Sequence, residues 1–97
     1  MIYVVIPVFN KIEMTLKCLD SIYKQNNEEI TVVIVDDGSV DDSTNSVKEF
    51  FPETIVLNGT GSLFWTGSVH LGVSYVLTRC HQKDWVLLMN NDVQLTQ

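Results

Sequence analysis

The sequence is poor in positive charge, with 6 lysines and arginines against 12 aspartates and glutamates and a formal net charge of −6. That deficit disfavours nucleic-acid binding, which draws its affinity from neutralised phosphates. An anionic ligand therefore needs a metal ion or locally placed donors. Long apolar runs are also missing, and nothing approaches the roughly 20 residues that span a bilayer. The apolar start from Met1 to Ile6 is too short for a signal h-region, lacks basic flanking residues and runs into Pro7. These absences place the chain in the cytoplasm, with any contact to the inner face of the membrane left to segments outside this sequence. Cysteine is scarce too: Cys18 and Cys80 stand far apart, each inside a stretch that reads as helix, and in no CxxC or metal-ligand spacing. Two buried free thiols are the expectation.

What is present is the composition of a folded domain. Hydrophobic residues make up 45% and charged residues 19% of 97 positions, enough for one small core and too little for a second. Residues 1–97 therefore read as a single α/β domain. The run Ile2-Tyr3-Val4-Val5-Ile6, ended by Pro7, has the pattern of a strand buried on both faces of a parallel sheet. Asn10 offers an N-cap with Glu13 three residues on, and Ile12, Leu16, Leu19 and Ile22 recur at helical spacing to about residue 25. Residues 30–35 read as a second buried strand, closed by Asp36-Asp37-Gly38-Ser39. The polar stretch that follows leads to Val47, Phe50 and Phe51 before Pro52 stops it. Residues 54–57 are a short third strand and 58–62 a glycine-bearing loop. A helix over 67–80 carries Val69, Val73, Val76, Leu77 and Cys80 on one face, and 85–89 is a fourth, buried strand. Strands and helices alternating through such short connections imply an open, mostly parallel sheet with flanking helices and right-handed crossovers.

In such a sheet ligands sit at the carboxyl ends of the strands. The polar clusters 7–10, 36–39 and 90–92 each begin where a strand stops, so all three meet along one edge. Adjacent in a strand, Asp36 and Asp37 point to opposite faces, and the turn can aim one carboxylate into the cleft to accept from a base N–H or ribose hydroxyls. Equally, Asp37-Gly38-Ser39 can serve only to reverse the chain as an Asx-type turn; both readings stay open at this point. Asp41 and Asp42 read as acids at a helix N-terminus, where the dipole favours them. Asn90-Asn91-Asp92 sets one carboxylate among carbonyl-bearing neighbours at the end of a buried strand. That suits a hard divalent cation that keeps several waters and takes its other ligands from a diphosphate, and it also suits a plain turn. The loop from Gly59 to Gly67 lacks the Lys-Ser/Thr ending of a P-loop and the GxGxxG order, while Leu63, Phe64 and Trp65 can staple the helix that follows. His70 and His81 have no partners at metal-ligand spacing and read as surface residues.

In order, Ile6-Pro7-Val8-Phe9-Asn10, the stretch from Val33 to Asp41, the loop and helix from Gly61 to Gly72, and the stretch from Trp85 to Val93 resemble the family 2 glycosyltransferases, and among them the rhamnosyltransferase-like branch. The similarity covers essentially the whole chain. It implies a GT-A fold, whose nucleotide-binding half is Rossmann-like, and transfer of a sugar from a nucleotide diphosphate sugar, UDP- or dTDP-linked, by inverting displacement. The implied acceptor is a glycan or lipid-linked molecule in surface polysaccharide synthesis. Pro7, Phe9 and Asp37 are implied around the base and ribose, and Trp65 and Gly67 near the nucleotide or sugar. Asn10, Asp36 and Asn91 complete the implied substrate-binding set, with Asp92 as the ligand of Mn²⁺ or Mg²⁺. Asn90 stands where the family's Asp-x-Asp motif often has its first Asp, which leaves one charged ligand.

The general base that such a transfer needs follows the metal-binding strand in this family, and the sequence ends five residues after Asp92. No residue here is assigned to that role. The chain is thus expected to supply the donor-binding part, without transferring sugar alone, and a sheet ending there leaves an edge open to homo-oligomer formation. Two other readings compete: a non-catalytic nucleotide-binding module, and a receiver-like signalling domain. A receiver needs an acidic pair after its first strand and a lysine after its last; Pro7-Val8-Phe9-Asn10 and Asn90-Asn91-Asp92 occupy those places.

Overall fold

Val4, Val5 and Ile6 are apolar in succession, so only a strand covered on both faces can bury them all. In a computed structural model that describes residues 1–25, 29–41 and 43–92, all three are buried near the centre of a four-stranded sheet. The chain runs β1 (Ile2–Val8), α1 (Ile12–Tyr23), β2 (Ile30–Asp36), α2 (Ser43–Phe50), β3 (Ile55–Asn58), α3 (Phe64–Leu77) and β4 (Trp85–Leu88). The sheet order is β3-β2-β1-β4, and every pairing is parallel.

The two-residue period of the strands divides the core. Val4, Ile6, Val8, Val32 and Ile34 face α1 and α2 with Cys18, Leu19, Ile22 and Val47. Val5, Val33 and Val35 face the other way, against Val76 of α3. The side each helix takes follows from the strand order. From β1 through β3 the chain steps in one direction along the sheet, then crosses back past β1 to β4, and a right-handed crossover in the reverse direction lands on the opposite face. The order therefore switches beside β1, and a crevice opens there at the carboxyl ends of the strands.

Several expectations need correcting. Pro7 does not end the first strand, which runs to Val8. The Val5 carbonyl accepts from Met89 on the β4 side, so Pro7, two residues on, also faces that side, where β4 no longer pairs with it. Its missing N–H therefore leaves the β1–β2 ladder intact. The third helix begins at Phe64 rather than at 67 and ends at Leu77, which places Trp65 and Gly67 inside it and Cys80 beyond it. Cys18 is buried and Cys80 only partly so. The fourth strand is not buried: it lies at the sheet edge, and Trp85, Val86, Leu87 and Leu88 are all exposed. Among the described residues no helix is long and apolar enough to cross a membrane.

Candidate functional site

The end of β2 and the loop after it organise the carboxyl edge, because three acids there attach to the beginnings of three helices. Asp36 accepts from the Ser39 N–H at 3.0 Å and from the hydroxyl of Thr44 in the first turn of α2. Asp37 accepts from the Gly61 N–H at 2.8 Å and from the Phe64 N–H, the first of α3, at 2.7 Å. The carboxylate of Asp41 accepts from the Ile12 N–H, the first of α1, at 3.2 Å. Each acid thus takes up backbone or hydroxyl donors where the helix dipole also favours negative charge. The alternation of a strand puts Asp36 and Asp37 on opposite faces, as expected. It is Asp36, not Asp37, that forms the local Asx-type turn.

Asn10 does not cap its own helix. Its Oδ1 accepts from the Val40 and Asp41 N–H groups at 2.8 and 3.3 Å, and its N–H donates to the Ser39 hydroxyl at 2.7 Å. These bonds interlock the loops after β1 and β2 and hold Asn10 and Lys11 in the left-handed region, at φ 59° and 58°. Gly38 and Gly61 also have positive φ, and a Cβ on Gly38 would stand 2.8 Å from Gly61 Cα. Only glycine lets the two loops approach so closely.

Between these loops and α3 lies a cleft of about 390 Å³ lined by Pro7, Val8, Phe9, Lys11, Asp37, Gly61, Phe64, Trp65, Ser68 and Asn91. It combines exposed aromatic surface from Phe9, Phe64 and Trp65 with one cation, Lys11, and one carboxylate, Asp37. Burial pushes the Asp37 carboxyl up, but backbone N–H groups of Phe64, Gly61 and Leu63 together outweigh it and hold the pKa below the ordinary carboxylate value. Asp37 therefore stays ionised near neutral pH, an acceptor with lone pairs left for a ligand N–H or hydroxyl.

Of the residues singled out in the sequence, the fold brings Pro7, Phe9, Asp37, Trp65 and Asn91 to the cleft. Asn10 and Asp36 are turned to the loop bonds above. Gly67 packs against Leu63, whose Cβ a methyl group there would meet at 2.9 Å. Asp92 is exposed outside the lining, close enough to Cys18 to help raise its thiol pKa. Among the described residues no three His, Cys, Asp or Glu side chains group to hold a metal. The donor set fits a divalent cation only when a ligand's phosphates complete its coordination. Sequence reasoning did not single out Val8, Lys11, Gly61 and Ser68, and it offered Phe64 only as one candidate helix staple, whereas the ring is exposed in the cleft. Lys11 carried a legible signal, a lone base directly after the polar cluster that ends β1.

Residues 3–97 match the family described as glycosyl transferase family 2. Glycosyltransferase GlyA of Streptococcus pneumoniae serotype 4 is 47% identical over 49 residues, 50% of this chain and 7% of GlyA. The glycosyltransferase MG060 of Mycoplasma genitalium is 31% identical over 94 residues, 92% of this chain and 31% of MG060. Among solved structures, Staphylococcus aureus TarS 1–349 superposes with a TM-score of 0.73 at 23% identity, covering 94% of this chain and 27% of that one. The mannosyltransferase PcManGT of Pyrobaculum calidifontis, in complex with GDP-Man and Mn²⁺, gives a TM-score of 0.70 at 21% identity, covering 94% and 27%. At those identities the structural likeness is one of fold. The chain spans less than a third of each of these relatives.

Proposed function

The chain belongs to glycosyl transferase family 2, and from that premise we propose that its cleft is the donor site of a glycosyltransferase, holding a nucleotide diphosphate sugar. The parallel sheet with its helices superposes on part of each structural neighbour. The observation that carries the reading is the cleft's lining: aromatic faces, one fixed carboxylate and one ammonium meet in a single space. Those groups match the parts of a nucleoside diphosphate. Phe9, Phe64 and Trp65 offer apolar surface to the base, Asp37 accepts from a base N–H or ribose hydroxyl, and Lys11 faces the diphosphate with positive charge.

Asp92 would hold a divalent cation, Mn²⁺ or Mg²⁺, together with the donor phosphates. When bound, that ion supplies positive charge against the negative charge on the departing diphosphate. The chain's own part is to bind and orient the donor so that its anomeric carbon is open to displacement. The base that must deprotonate an acceptor hydroxyl is assigned to no residue of this chain, whose proposed part is donor binding. The acceptor in the whole enzyme is a glycan or lipid-linked molecule.

Calorimetric titration of UDP, dTDP and GDP, with and without Mn²⁺, tests this reading. One of the three binds, Mn²⁺ tightens it at least tenfold, and Asp92→Ala removes the Mn²⁺ effect. Failure of all three to bind in Mn²⁺ sinks the donor-site reading. Binding by a longer form of the protein that never turns over a sugar nucleotide would favour the non-catalytic module.

A further inference from the structure

The segment after β4 touches both helices that flank the cleft. Asn90 Oδ1 accepts from Trp65 Nε1, in the first turn of α3, at 3.2 Å. Asn91 Nδ2 donates to the Oγ1 of Thr15, a fully buried residue of α1, at 3.1 Å. The Thr15 hydroxyl in turn donates to the Lys11 carbonyl at 3.4 Å. Lys11 is the left-handed residue that carries the cleft's one cation, and Trp65 is one of its aromatic walls.

The chemistry of these groups dictates what each position must present. An indole N–H only donates, so position 90 must offer an oxygen. While the Thr15 hydroxyl gives its single proton to Lys11 it can only accept from position 91, so both bonds stand together only if position 91 offers an N–H. An amide serves at both. A carboxylate serves at 90, whereas at 91 it can only draw the Thr15 proton away from Lys11 and break the link.

We propose that Asn90 and Asn91 are positioning residues rather than metal ligands. Asn90 fixes Trp65 on the α3 side of the cleft, and Asn91, through Thr15, fixes Lys11 on the α1 side. The effect on ligand affinity rests on the donor-site reading above; the hydrogen bonds themselves do not.

The test uses the full chain carrying Trp85→Phe, a change at an exposed side chain that leaves Trp65 as the single tryptophan of 2. In that background Asn90→Ala, Asn90→Asp and Asn91→Asp are compared, with far-UV circular dichroism confirming the fold of each. Trp65 is about half exposed, and its acrylamide quenching rises in Asn90→Ala and stays at the parent value in Asn90→Asp. UDP affinity in saturating Mn²⁺ falls about three- to tenfold in Asn90→Ala and Asn91→Asp, the loss expected for one hydrogen bond, and is unchanged in Asn90→Asp. Metal ligands would give a different pattern, in which a new carboxylate at either position tightens Mn²⁺-dependent binding. That pattern, or unchanged quenching in Asn90→Ala, overturns the proposal. Should the parent bind no UDP, the donor-site reading is what fails for that nucleotide, and the quenching comparison still decides the role of Asn90.

Discussion

Asp37 shows how a single residue can fasten a loop and face the cleft at once. Its carboxylate closes the loop before α3 and also faces the cleft, so its charge matters twice. Because the folded pKa lies below the unfolded one, its stabilising contribution is fully present above about pH 4. It is lost as pH falls through the depressed folded value. Urea denaturation should therefore show a midpoint that drops on acidification below pH 4, and a smaller drop in Asp37→Asn, which starts from a lower midpoint at pH 7. Cys18 behaves in the opposite sense. Burial, with the charge of Asp92 adding to it, raises its thiol to about 11. Iodoacetamide at pH 8 should label Cys80 and spare Cys18 in the folded chain, and label both in denaturant, as read by mass spectrometry. In the sequence both cysteines looked alike; the helix boundary at Leu77 separates them.

At the scale of elements, α3 carries the cleft's aromatic wall, and its seat on the sheet depends on Gly72. A Cβ there meets Val5 Cγ1 in hard overlap and Val35 Cγ2 at 3.0 Å. Both valines lie in fully paired central strands and have stiff χ1 torsions, so neither can retreat. Gly72→Ala should destabilise by about 1–3 kcal/mol, outweighing the helix-propensity gain of at most about 1 kcal/mol, and urea unfolding measures it. Periodicity located all seven elements, but it put Leu77 on the packed face of α3, where the side chain is exposed and Ser68, Gly72 and Val76 are the buried residues. It also misplaced the ends of elements where a partner distant in sequence sets them. The start of α3 is fixed by Asp37, 27 residues away, and that of α1 by Asp41, 29 residues away. No local pattern encodes either.

Across the whole molecule, stability is concentrated in β1 and β2, which are covered by helices on both faces, and falls off toward β4. Ile34→Ala should cost about 2–5 kcal/mol, whereas Leu87→Lys on the exposed strand should stay within about 0.5 kcal/mol. Hydrogen exchange should rank the same way, with amides of 4–6 and 32–35 slowest and those of β4 fastest among the strands. An order in which β4 exchanges as slowly as β2 would contradict the exposure of its side chains.

The sequence by itself determined the class of the fold and the edge along which its polar clusters gather. Hydrophobic period and the placing of polar clusters at strand ends are local properties, and they survive in any one stretch of chain. It also contained the family resemblance, since those motifs keep their order and separation. Only the tertiary structure decided which acid faces the cleft. Asp36 and Asp37 are the same residue type one position apart; strand alternation sends them to opposite faces, and the sheet order decides which face carries α2 and which α3. Lys11 likewise becomes a cleft residue only through the interlock of Asn10 with a loop some 30 residues on. Hydrogen bonds of that kind form between strand ends that the sheet order makes neighbours, and the sheet order is a property of the whole chain.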